Sequence, residues 1–107
     1  FLDPDPKQVD GAKVTGTDCI ELYTEAYANG FPKNPEAAIA PYAETAKRAV
    51  ELEIGLNAGH DLNLQNIAYF HQHIPNLVEV SIGHALICES LYFGLENVVN
   101  QYRAKLV

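Results

Sequence analysis

The chain has 107 residues, enough for one small domain, and 48% of them are apolar, so a packed core is within reach and global disorder is not expected. Fourteen acidic against seven basic residues give a formal charge of −7, which argues against a general nucleic-acid binder with a basic face. A phosphate site stays open, because backbone N–H groups can hold phosphate without Lys or Arg.

In chain order, Phe1-Leu2-Asp3 reads as the end of a strand. Pro4-Asp5-Pro6 is a turn, with Asp5 a helix N-cap and Pro6 at the first helical position. The short helix that follows runs from about Lys7 to Val14, turns Val9 and Ala12 inward and ends at Gly16. Asp18 to Tyr23 is a compact strand. Residues 28–33 read as loop, since Asn29-Gly30 and Pro32 interrupt any period. Asn34-Pro35-Glu36 then opens an amphipathic helix, in which Ala38, Ile39, Tyr42, Ala43, Ala46, Ala49 and Val50 recur at spacings of three and four, to about Leu52. Glu53 to Ala58 is the next strand. Asn63 caps a helix that turns Leu64, Ile67, Ala68, Phe70 and Ile74 inward, and Pro75-Asn76 stops it. Leu77 to Ile82 is another strand. The remainder, from Ala85, is helical with a break near Gly94.

This βαβαβαβα order implies a parallel sheet with right-handed crossovers, either half of a (β/α)₈ barrel or a small open sheet. No linker or low-complexity stretch divides it, so residues 1–107 read as part of one domain. Methionine is absent, even from position 1, and the chain opens on a strand end, so it is expected to be a piece of something longer. Cys19 and Cys88 lie in apolar patterns and are expected to be reduced and buried. No apolar run approaches the ~20 residues of a membrane span and no signal peptide is recognisable, which makes the cytoplasm the default location.

The chemistry-bearing pattern is a repeated strand end. Leu56-Asn57-Ala58-Gly59-His60-Asp61 and Val80-Ser81-Ile82-Gly83-His84-Ala85 each run an apolar strand into Gly-His and then toward a helix. Glycine lets backbone approach a ligand, and histidine exchanges protons near neutral pH. Both steps fall at the carboxyl rim of a parallel sheet, where α/β enzymes keep their chemistry. His60 can there donate or accept a proton; the plainer reading makes it a cap for the following helix. Gly83-His84 opens the last helix, whose free amides favour an anion, unless the glycine serves turn geometry alone. Asp61 can sit beside the same pocket or be a turn residue. Glu21 alternates with Ile20 and Leu22, so it shares a face with Cys19 and Tyr23; it is either a half-buried carboxylate at the site floor or a solvated edge acid. His71 and His73 are two apart on a helix, which points them in different directions and excludes them as a metal pair. No dinucleotide loop, Walker A motif or nucleophile elbow is present.

Phe1-Leu2-Asp3, Ile20-Glu21-Leu22-Tyr23-Thr24, Tyr27-Ala28, Leu56-Asn57-Ala58-Gly59-His60-Asp61-Leu62 and Ser81-Ile82-Gly83-His84-Ala85-Leu86-Ile87 resemble the C-terminal half of the pyridoxine 5′-phosphate synthase family, in order and separation. The resemblance implies a TIM barrel that condenses 1-deoxy-D-xylulose 5-phosphate with 3-amino-2-oxopropyl phosphate, releasing phosphate and water, without metal or organic cofactor. It implies the proton-donating histidine at His60, a transition-state-stabilising glutamate at Glu21, and contacts to the aminoketone phosphate at Asp61, Gly83 and His84. It further implies an octamer of complete barrels. Many relatives have His-Thr-Gly where this chain has Tyr23-Thr24-Glu25, and some have glycine in place of Asp61. The family's remaining site residues belong to the barrel's first half, so residues 1–107 alone are expected to be inactive, with two unpaired sheet edges. The competing reading is a non-catalytic phosphate-binding or self-associating half-barrel module. A receiver-like open sheet is weaker still, since only Asp3 and Asp5 could form its acidic cluster.

Overall fold

The computed structural model describes residues 1–107. Its elements are α1 (Pro6–Val14), β1 (Cys19–Tyr23), α2 (Glu25–Gly30), α3 (Pro35–Glu51), β2 (Gly55–Gly59), α4 (Ile67–His73), β3 (Leu77–Ser81), α5 (His84–Phe93) and α6 (Leu95–Lys105). The three strands form one parallel sheet in the order β1-β2-β3. Leu2 adds a parallel bridge on the free edge of β1, its N–H donating to the Glu21 carbonyl at 2.8 Å and its carbonyl accepting from Tyr23 N–H at 2.9 Å. The fold is therefore α/β with a parallel sheet, and the expected strand end at Phe1–Asp3 is in place.

Local chemistry sets most boundaries. The Asp5 carboxylate accepts from Lys7 N–H at 3.0 Å, and Asn34 Oδ1 accepts from Ala37 N–H at 3.2 Å, each just ahead of a first-turn proline. Gly94, at φ 85°, separates α5 from α6 in a conformation that L side chains rarely adopt. Ile20 and Leu22 of β1 and Leu56 and Ala58 of β2 point into a core built with Val9, Ile39, Tyr42, Ala46 and Phe70. The opposite face of the sheet carries Cys19, Glu21 and Tyr23, as the alternation required. A second, smaller cluster of Ile67, Val98 and Tyr102 ties α6 to α4.

Three expectations are corrected. Residues 28–30 of the expected loop are helical, the end of α2, because the buried Tyr27 ring packs edge-on against Phe70 and Tyr42 and tilted against Phe31. That tertiary cluster outweighs the local Asn-Gly signal. The helix after β2 begins at Ile67. Asn63 Oδ1 takes the N–H groups of Gln65 and Asn66, both at 3.0 Å, and so shapes a turn ahead of the helix. Cys19 and Cys88 are free thiols but both are exposed. Cys19 lies on the sheet face that the helices leave open, and Cys88 on α5, which has no buried residue.

A candidate active site at the carboxyl rim of the sheet

Parallel pairing aligns Tyr23, Gly59 and Ser81, the last residues of the three strands. The residues that follow them, Thr24, His60-Asp61 and Ile82-Gly83-His84, therefore emerge from the same end of the sheet. One row below, Glu21, Asn57 and Glu79 are in register.

Glu21 reaches across this rim. Its Oε1 accepts from the Ser81 hydroxyl at 3.3 Å, a bond that spans from β1 over β2 to β3. The strand it crosses carries Gly59. A Cβ built there would lie 3.2 Å from Glu21 Oε1 and 3.2 Å from Ser81 Cβ. The glycine before His60 is thus what leaves room for the carboxylate, a close-approach role that needs no unusual backbone angle.

His60 and Asp61 follow with φ of 104° and 60°, two successive non-glycine residues on the strained side of the backbone map. Such residues cost of order 1–3 kcal/mol each and persist only where their surroundings over-determine them. Here the buried Thr24 hydroxyl donates to the His60 carbonyl at 2.5 Å, and Asn66 Nδ2 donates to the Asp61 carbonyl at 3.3 Å. The His60 imidazole, half exposed, lies edge-on to the Tyr23 ring with centroids 4.7 Å apart, and its Nδ1 is 3.1 Å from Asp61 Oδ2. The Tyr23 hydroxyl is engaged away from His60. It donates to the Glu25 carboxylate, which, helped by desolvation, pushes its pKa up to about 12.

Two neighbouring hollows run along the Leu2 edge and share Phe1, Leu2 and Gln8. One, of about 710 Å³, reaches Glu21 and Asn57; the other, of about 370 Å³, reaches Tyr23 and His60. The structure thus pairs His60 with Asp61 and sets Glu21 in the adjoining hollow, while Asp61 itself lines neither hollow. Gly83 and His84 stand at the same rim but line neither hollow. Gly83 caps α5, its carbonyl accepting from Ile87 N–H at 3.1 Å, and His84 Nε2 is 3.5 Å from Cys88 Sγ. His73 is occupied elsewhere: its ring stacks on Tyr69 and its Nδ1 is 2.8 Å from the Tyr69 carbonyl. No three His, Cys, Asp or Glu side chains are grouped so as to hold a metal ion, and no helix is long and apolar enough to cross a membrane. Sequence reasoning missed Thr24, Asn66 and Ser81. Threonine, asparagine and serine are ordinary at strand ends and turns, and only their partners set these apart.

A sequence model of the family described as "Pyridoxal phosphate biosynthesis protein PdxJ" matches residues 1–107. The chain belongs to this family. Among curated relatives it is 58% identical over 106 residues to a pyridoxine 5′-phosphate synthase of Flavobacterium johnsoniae, covering 99% of this chain and 45% of that protein. It is 56% identical over 103 residues to one of Bacteroides thetaiotaomicron (96% and 44%) and 58% identical over 102 residues to one of Christiangramia forsetii (95% and 43%). The chain thus spans somewhat less than half the length of these relatives, and the part it matches is their C-terminal half. The resemblance carried by the Gly-His steps is a family membership.

Proposed function

We propose that residues 1–107 are the C-terminal half of a single (β/α)₈ barrel with pyridoxine 5′-phosphate synthase activity. In this reading 3-amino-2-oxopropyl phosphate and 1-deoxy-D-xylulose 5-phosphate condense to pyridoxine 5′-phosphate, phosphate and water. The amine and the ketone form a Schiff base, phosphate leaves, and the ring closes with loss of water. His60 gives and takes protons as these steps proceed. Glu21, with Ser81 donating to it, stabilises the cationic intermediates. Gly83 and His84 hold the aminoketone phosphate at the α5 N-terminus, and Asp61 contacts it through its backbone. No metal or organic cofactor enters this scheme. The complete protein is a cytoplasmic homo-oligomer, an octamer, and residues 1–107 alone have no turnover.

One observation carries the reading: the placement of Glu21, His60 and the Gly83-His84 turn at one sheet rim, in a chain matched along its full length by the family. The test is His60→Asn in the full-length protein, assayed for pyridoxine 5′-phosphate formation. Turnover is expected to fall ~10²–10⁴-fold, the usual contribution of a positioned acid–base group. A near-normal rate removes His60 from the mechanism.

A further inference from the structure

Tyrosines aside, three polar side chains are buried in this protein: Thr24, Thr45 and Asn66. Burying a polar group is unfavourable unless it is hydrogen-bonded, so the partners of these three are informative. Thr45 bonds within its own helix, its hydroxyl donating to the Pro41 carbonyl at 2.7 Å. The other two clasp consecutive carbonyls of the strained pair, Thr24 that of His60 and Asn66 that of Asp61. Thr24 is anchored by its own N–H, which donates to the Gly59 carbonyl at 3.1 Å. Asn66 is fixed on three sides. Its Oδ1 accepts from Asn63 N–H at 2.9 Å, its N–H donates to Asn63 Oδ1, and its carbonyl accepts from the buried Tyr27 hydroxyl at 2.6 Å.

We propose that Thr24 and Asn66 are positioning residues that hold His60 and Asp61 in their positive-φ conformation and so aim the His60 imidazole at the substrate. The inference rests on the reading of His60 as the proton donor. Nothing else in the structure donates a hydrogen bond to either carbonyl, so removing a clasp lets that backbone relax toward ordinary φ. A side chain carried on such a backbone moves with it. A misplacement of about 1 Å at a reacting group can cost ~10²-fold in rate.

The experiment uses the full-length protein and four variants: Thr24→Val, Thr24→Ser, Thr45→Val and His60→Asn. Thr24→Val and Thr45→Val each delete one enclosed hydroxyl, so they serve as a matched pair for stability. The expected result is a kcat about 10- to 100-fold lower in Thr24→Val, with KM for both substrates nearly unchanged. Thr24→Ser restores most of it, and Thr45→Val stays within about twofold of the parent protein. Equal effects of Thr24→Val and Thr45→Val on kcat, or no rescue by serine, overturn the proposal. His60→Asn separates the two layers of the argument. If it leaves turnover intact, the proton-donor reading has failed. If it abolishes turnover while Thr24→Val does not, only the positioning role has. Should Thr24→Val not fold, Asn66→Asp is read against the same controls. It keeps the acceptor for Asn63 and loses the donor to Asp61, and an unchanged kcat there likewise overturns the proposal.

Discussion

Gly59→Ala in the full-length protein separates stability from function at the site. The added methyl group would meet Glu21 Oε1 and Ser81 Cβ at 3.2 Å and Glu21 Cδ at 3.3 Å. Such contacts are tight by a few tenths of an ångström, so something must yield. Ser81 Cβ is fixed to the β3 backbone, whereas the Glu21 carboxylate ends a flexible side chain; the carboxylate is what moves. Overpacking costs about 1–3 kcal/mol, and alanine recovers roughly 0.5–1 kcal/mol over glycine inside a strand, leaving a net loss of about 0–2.5 kcal/mol. Activity is more sensitive. If ~1 Å costs ~10²-fold, a shift of about a third of an ångström costs about fivefold. The assay pairs urea unfolding midpoints with steady-state kinetics of pyridoxine 5′-phosphate formation. The expected pattern is a modest drop in midpoint with a roughly fivefold lower kcat. An unchanged kcat with a lower midpoint would refute the claim that Gly59 is there to make room for Glu21.

Asp61→Gly exchanges a residue at φ 60° for one that tolerates it. Relief of about 1–2 kcal/mol of backbone strain opposes a looser unfolded chain and the loss of the half-exposed contact with His60, itself worth about 0–1 kcal/mol. The urea midpoint should be unchanged or higher, and a loss above about 1.5 kcal/mol would contradict this account of the strain. Alkaline titration tests the tyrosines. Tyr23 is pushed up to about 12 by its bond to Glu25, and burial pushes Tyr27, Tyr42 and Tyr102 up as well. A phenol with a higher pKa folded than unfolded keeps a proton that the unfolded chain loses. Its contribution to stability is therefore complete below about pH 10 and is lost as pH rises through about 12. Urea midpoints should hold up to about pH 10 and fall beyond it; a midpoint that rises over that range would reverse the sign.

Local signals fixed much of this molecule. Asp5-Pro6 and Asn34-Pro35 name helix starts because capping is a matter of a few adjacent atoms. The alternation of Cys19, Glu21 and Tyr23 with Ile20 and Leu22 assigns two faces because a strand allows no other arrangement. Gly-His at two strand ends marks the rim, and Glu21 and His60 do face adjoining hollows there. What the sequence could not decide depends on groups far apart along the chain. The helix at Tyr27 exists because Phe70 and Tyr42 pack on it across more than a dozen residues of intervening chain. The reach of Glu21 to Ser81 over Gly59 needs the register of three strands, which no local pattern encodes. The strain at His60 and Asp61 is invisible in their identities, because backbone angles of this kind are imposed by distant hydrogen bonds such as those of Thr24 and Asn66.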